Sequence, residues 1–150
     1  MDKANEQVEQ QLTVLLRRVQ RIHLSTSTGS MSLERSAYGI MCKLADQGPQ
    51  RLGALAINFG LDPSTITRQV QALEEAGLAE RTSDPSDRRA SILDLTPIGR
   101  TTLTDTRDHR RKRFAAAMAD WPVADRQEFG RLLTAFNAAV EQMPEQFPNG

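Results

Sequence analysis

One cysteine, one tryptophan and one tyrosine occur among the 150 residues. A lone cysteine, Cys42, excludes an intramolecular disulfide framework and fits a reducing compartment. Aromatic residues make up 5% and hydrophobic residues 39% of the chain. Both values are lean, which suits an open helical shape and leaves burial to be completed by a second copy of the chain. The 19 basic and 19 acidic side chains cancel. Bulk charge therefore names no nucleic-acid partner, and only local charge placement can. No apolar run approaches the ~20 residues that span a bilayer. The opening "MDKANEQVEQQ" lacks the apolar centre of a signal peptide. A cytoplasmic chain without a membrane partner is expected. His23 and His109 have no metal-ligand spacing, and no glycine loop could cradle a phosphate. No catalytic residue, metal or cofactor is expected, and the chain does not read as an enzyme.

What is present is helical periodicity. Val8, Leu12, Leu15, Leu16, Val19 and Ile22 recur at spacings of three and four, which predicts an amphipathic helix broken by "STSTGS". Ala37, Ile40, Met41, Leu44 and Ala45 form a second stripe closed by Gly48 and Pro49. A short helix carries Leu52, Leu55, Ala56 and Phe59. In "LDPSTITRQVQALEEAG", Asp62 suits an N-cap, Pro63 the first helical position and Gly77 the residue past the end. "LAERTS" and "ASILDLT" read as strands around the turn "DPSDRR". A long helix starts at Thr96–Pro97. From Thr104 to Arg113 it carries no aliphatic or aromatic side chain, as a solvated bridge between lobes would. Phe129, Leu132, Leu133, Phe136, Val140 and Met143 supply a last stripe.

Two short helices joined by a tight turn match a helix-turn-helix, whose second helix lies in the DNA major groove. Here that helix runs from Pro63 to Ala76. Ile66, Val70 and Leu73 are its core face. Ser64, Arg68, Gln71 and Glu75 lie opposite, flanked by Thr65 and Thr67. Hydroxyls bond phosphates or bases, arginine reaches guanine bidentately, and glutamine does the same for adenine. The plain alternative is a solvated polar face. The hairpin that follows favours the first reading. Its tip concentrates the adjacent cations Arg88 and Arg89, and arginine suits a narrow, electronegative minor groove. Asp84 and Asp87 shape the turn and could orient one of those arginines.

With "DPSTITRQVQALEEAGLAERT" followed by "DPSDRRASILDLTPIGR", the chain resembles the MarR family of bacterial transcription regulators. The pattern D-x-R-x(3)-L-x-L-T-x-x-G-R is met by Asp87, Arg89, Leu93, Leu95, Thr96, Gly99 and Arg100. Asp120–Trp121, Asp125 and "RLL" are similar to the family's last connection, and the likeness runs from about Val8 to Met143. The resemblance implies a mainly α fold with a small β-hairpin: a winged helix-turn-helix over 32–97, with 1–31 and 98–150 forming a helical dimerisation lobe. It further implies a homodimer on double-stranded, pseudo-palindromic operators, usually a repressor relieved by a small ligand or by thiol oxidation. The wing residue entering the minor groove would be Arg88 or Arg89. Leu12, Leu15, Leu16, Phe136 and Val140 lack an obvious partner in the central unit and fit the dimer contact, although packing within one chain competes.

His23, Tyr38 and Met41 are candidates for an effector pocket between the lobes, against plain core or surface roles. Cys42 lies beside an apolar stripe, where packing outweighs redox sensing. A winged helix that docks proteins without specific DNA binding is the other class of function that fits.

Overall fold

Asp2 opens the first helix of the computed structural model, which describes residues 2–19, 21–26 and 29–143. The Asp2 carboxylate accepts from the Ala4 amide at 3.1 Å and caps α1, Lys3–Arg18. The helix buries none of its residues, and Val8, Leu15 and Leu16 are exposed.

The predicted first stripe ends earlier than its spacing implies. Ile22 belongs not to α1 but to a strand, β1 (Arg21–Thr26), paired antiparallel with β2 (Gly29–Glu34). In β1 the buried Ile22 and Leu24 alternate with the exposed Arg21 and His23, the period of a half-buried strand. "STSTGS" thus holds the end of β1 and the start of β2 and is not a simple interruption; its Ser27 and Thr28 lie outside the described residues.

The helical centre follows the predicted order. Helix α2 (Arg35–Gln47) ends at Gly48, whose φ of 80° is open to glycine at little cost. After β3 (Gln50–Arg51) come α3 (Leu52–Phe59) and α4 (Pro63–Glu75). The wing consists of β4 (Ala79–Asp84) and β5 (Asp87–Leu95), and β3 pairs with the other side of β5 in the order β3-β5-β4. Helices α5 (Pro97–Ala117) and α6 (Val123–Glu141) complete the chain. No described helix is long and apolar enough to cross a membrane.

One core joins the first hairpin, α2, α3, α4, the wing and the start of α5. Leu24 of the hairpin, Ile40, Met41 and Leu44 of α2, Leu55 of α3, Val70 and Leu73 of α4, and Leu93 of β5 are all fully buried within it. Each such side chain contributes about 1.5–3 kcal/mol by leaving water.

The chain divides into two compact units, 1–109 and 110–150. The division falls within the apolar-free run of α5. Thr104, Asp105, Asp108 and His109 are exposed as expected, but two side chains of that run are not solvated. Thr106 is buried and its hydroxyl accepts from the Ser25 amide at 3.1 Å, while Arg107 grips both carboxylate oxygens of Asp46 at 3.1 Å. Polar side chains here pack through hydrogen bonds, which apolar periodicity does not register. In the second unit, Trp121 meets Phe129 edge-on at 5.6 Å, and α6 buries none of its residues.

Candidate nucleic-acid interface

Helix α4 is anchored at its start by Asp62. Its Oδ1 accepts from the Thr65 amide at 2.8 Å and from the Ser64 hydroxyl at 2.6 Å. These bonds, the Ser64 hydroxyl first, hold the Asp62 carboxyl below the usual aspartate range. The core side of α4 is Ile66, Gln69, Val70 and Leu73. Ser64, Thr67, Arg68, Gln71 and Glu75 are exposed and Thr65 is half-buried, as the helical spacing predicts. The Thr67 hydroxyl donates back to the Pro63 carbonyl at 2.8 Å. The protons of Ser64 and Thr67 are therefore engaged within the helix, and each must turn before it can donate elsewhere.

Arg68 is engaged too. Its Nη1 lies 2.6 Å from Oε1 of Glu34, and Nε2 of the buried Gln69 lies 2.7 Å from Oε2 of the same carboxylate. The Gln69 amide, followed by the Arg68 guanidinium, holds the Glu34 carboxyl below the usual glutamate range. Neither Glu34 nor Gln69 stands out in the sequence. Helix α2, strand β3 and helix α3 separate Glu34 from Arg68 and Gln69 in the chain, and only Gln69's place one residue before Val70 hints at burial.

At the wing, the turn residues are Pro85 and Ser86, so Arg88 and Arg89 fall inside β5 instead of in the loop. Strand pairing is irregular there. Ser83 faces Ser91, yet the next residue, Asp84, faces Asp87. Arg88, Arg89 and Ala90 are thus extra residues without a partner on β4, a bulge that re-aims side chains. The bulge carries the two arginines to the end of the wing, where both are exposed and neither makes an ion pair with a described residue. Arg51, Arg68, Arg81 and Arg100, by contrast, are each paired with a carboxylate.

Asp84 does not orient Arg88 or Arg89, as the turn's composition suggested it could. It is buried and ion-paired with Arg51 of β3. Its Oδ1 also accepts from the Ser86 amide at 2.9 Å and hydroxyl at 2.8 Å, and Arg51 Nη2 donates to the Ser86 hydroxyl oxygen at 3.2 Å. The Ser86 bonds, the amide first, and then Arg51 hold the Asp84 carboxyl below its usual range. Asp87 accepts from the Arg89 backbone amide at 3.0 Å, a bond that fixes the backbone and not the guanidinium.

The effector candidates do not converge in this way. His23 is exposed on β1, Tyr38 is half-buried and Met41 is sealed in the core. Cys42 is half-buried against that core. A cavity of about 370 Å³ opens instead between β2 and α4, lined by Arg21, Ser32, Glu34, Arg68, Gln69 and Glu75 among others.

Comparison with known proteins agrees with this geometry. The sequence profile of the MarR family matches residues 33–91. The HTH-type transcriptional regulator YxaD of Bacillus subtilis is 38% identical over 135 residues, covering 89% of this chain and 93% of that one. The HTH-type transcriptional repressor NicR of Pseudomonas putida is 28% identical over 102 residues, covering 66% and 65%. A crystal structure of MarR shares the fold with a TM-score of 0.66 at 23% identity, covering 74% of this chain and 81% of that one. The chain belongs to the MarR family of transcriptional regulators, which are DNA-binding proteins and not enzymes.

Proposed function

We propose that this regulator is a homodimeric repressor of pseudo-palindromic operators, relieved by a small ligand. In this reading α4 enters the major groove, with Arg68 and Gln71 reading bases and Ser64, Thr65 and Thr67 meeting the sugar-phosphate backbone. The wing lies along the duplex and inserts Arg88 or Arg89 into the adjacent minor groove. Residues 32–97 serve as the DNA-binding lobe, and 1–31 with 98–150 as the dimerisation lobe. Repression is supported by the repressor role of NicR, a relative of this chain. The observation that carries the reading is the bulge of β5. It gathers two cations with no carboxylate partner among the described residues at the end of a wing otherwise pinned by an ion pair.

Dimerisation is supported by the apolar surface left open. Leu15 and Leu16 on α1, and Phe129, Leu132, Phe136 and Val140 on α6, are exposed at helical spacing. Leu12 is half-buried on the same stripe of α1. Stripes of this extent mark a contact surface, unlike scattered single side chains.

Selection of bound sequences from random duplex DNA tests the reading. An enriched inverted repeat with half-sites about one helical turn apart supports a dimeric operator reader. A steep fall of affinity with salt reports the phosphate contacts. Binding without enrichment at any salt would refute sequence-specific reading.

A further inference from the structure

Glu34 sits where a DNA-reading surface would not ordinarily hold an anion. It ends β2 and occupies the N-cap position of α2, yet its side chain makes no capping bond to that helix. Its carboxylate instead meets α4. Both oxygens are occupied, Oε2 by the buried Gln69 amide and Oε1 by Arg68. Arg21, the cross-strand neighbour of Glu34 in the hairpin, is held by the Ser32 hydroxyl at 3.0 Å and the Ser32 carbonyl at 3.1 Å. The hairpin thus presents one anchored anion to the exposed face of α4.

We propose that Glu34 holds Arg68 in reserve: an internal anion that competes with DNA for the arginine and must be displaced before Arg68 reads a base. The inference rests on the DNA-reading role of α4 proposed above. Gln69 keeps the carboxylate from swinging away, so Arg68 must leave it to reach a duplex. The side chains of Arg68 and Glu34 are 59% and 43% exposed, so their pair is weak and readily exchanged. A phosphate of random DNA offers Arg68 little more than the carboxylate it gives up. A guanine edge offers two acceptors in fixed geometry and outcompetes it. The carboxylate also repels nearby phosphates within the screening distance of about 10 Å at moderate salt. On random DNA Arg68 can keep its carboxylate, whereas on the operator it must give the ion pair up, so Glu34 lowers affinity for the operator more than for random DNA.

The test uses the full chain, a random-sequence duplex and the duplex enriched by selection. Glu34→Gln keeps an acceptor for Gln69 and removes the charge. It should raise affinity for the enriched duplex about two- to fivefold, the range an exposed ion pair sets. Affinity for the random duplex should rise less, so the ratio between the two grows. In an Arg68→Ala background the same change should have a smaller effect. An equal gain in that background, or an unchanged ratio, overturns the inference while leaving DNA reading intact. Wild type that binds no duplex overturns both. Circular dichroism checks the fold of each variant. Should Glu34→Gln fail to fold, carbon NMR of the Glu34 carboxylate in wild type replaces it. Its resonance should shift when the enriched duplex is added, and a resonance that stays in place overturns the inference.

Discussion

Gly99 packs against the carbonyl of Leu78 so closely that a Cβ on Gly99 would lie 1.9 Å from that oxygen. Leu78 follows the end of α4, and Gly99 lies in the first turn of α5. Thr96 fastens the same junction. Its amide donates to Leu78 O at 3.1 Å, its hydroxyl donates to Gly77 O at 2.6 Å and accepts from the Gly99 amide at 2.9 Å. Arg100 adds an ion pair to Asp94 of β5 at 3.0 Å. The stretch "LTPIGR" thus sets where α5 begins relative to the end of α4.

Gly99→Ala is expected to destabilise the fold by about 3 kcal/mol, because the clashing atom is backbone and cannot rotate away. Urea unfolding followed by circular dichroism measures it. A midpoint equal to wild type would show that the junction opens freely.

How far the sequence discloses this molecule depends on the range of the interaction. Helix α4 is punctuated locally by Asp62, Pro63 and Gly77, so its bounds and its exposed face are readable. The wing is readable from its turn residues. The bulge is not, because it depends on which residue of β5 faces Ser83. Ile22 satisfies a three-and-four spacing with Val19, and two alternating positions, Ile22 and Leu24, are too few to announce a strand against it. Arg51 with Asp84 and Glu34 with Arg68 join residues more than 30 positions apart. Neither pairing leaves a periodic trace.

Arg88→Ala and Arg89→Ala should each lower operator affinity, the groove-inserting residue by about 1 kcal/mol or more. Replacing both should also make the dependence of log affinity on log salt shallower, by about one unit for each phosphate that is no longer neutralised. Neither guanidinium forms an ion pair with a described residue, so the fold should keep its unfolding midpoint. Fluorescence anisotropy across a series of salt concentrations reads both affinity and slope. Values equal to wild type would remove the wing from DNA binding.

The pin on the wing is pH-dependent with a definite sign. The Asp84 carboxyl is lowered in the folded chain from its usual value of 3.8, by the Ser86 bonds and then by Arg51. A lowered carboxyl stabilises the folded state fully above the unfolded value, and that stabilisation is lost as pH falls through the folded value. Amide protection at Ser86 should therefore hold at neutral pH and decline as pH drops below 3.8. Asp84→Asn should weaken that protection at every pH and flatten the change. Hydrogen exchange at Ser86 that follows the same acid profile in Asp84→Asn would place the titrating group elsewhere.

Charges placed on the open apolar stripes test the assembly. Leu16 on α1 and Phe136 on α6 are exposed in the single chain, and neither helix buries any residue of its own. Leu16→Glu and Phe136→Glu should therefore cost the isolated chain little. In a dimer each would place an unpaired carboxylate in a desolvated contact, a penalty of several kcal/mol per ion. Sedimentation should show dimer for wild type and monomer for both variants at the same micromolar concentration. Operator affinity should fall with dimerisation, because one half-site is then bound without its neighbour. Variants that stay dimeric and bind as wild type does would move the subunit contact away from Leu16 and Phe136. Variants that unfold as monomers would show that these stripes are covered within one chain.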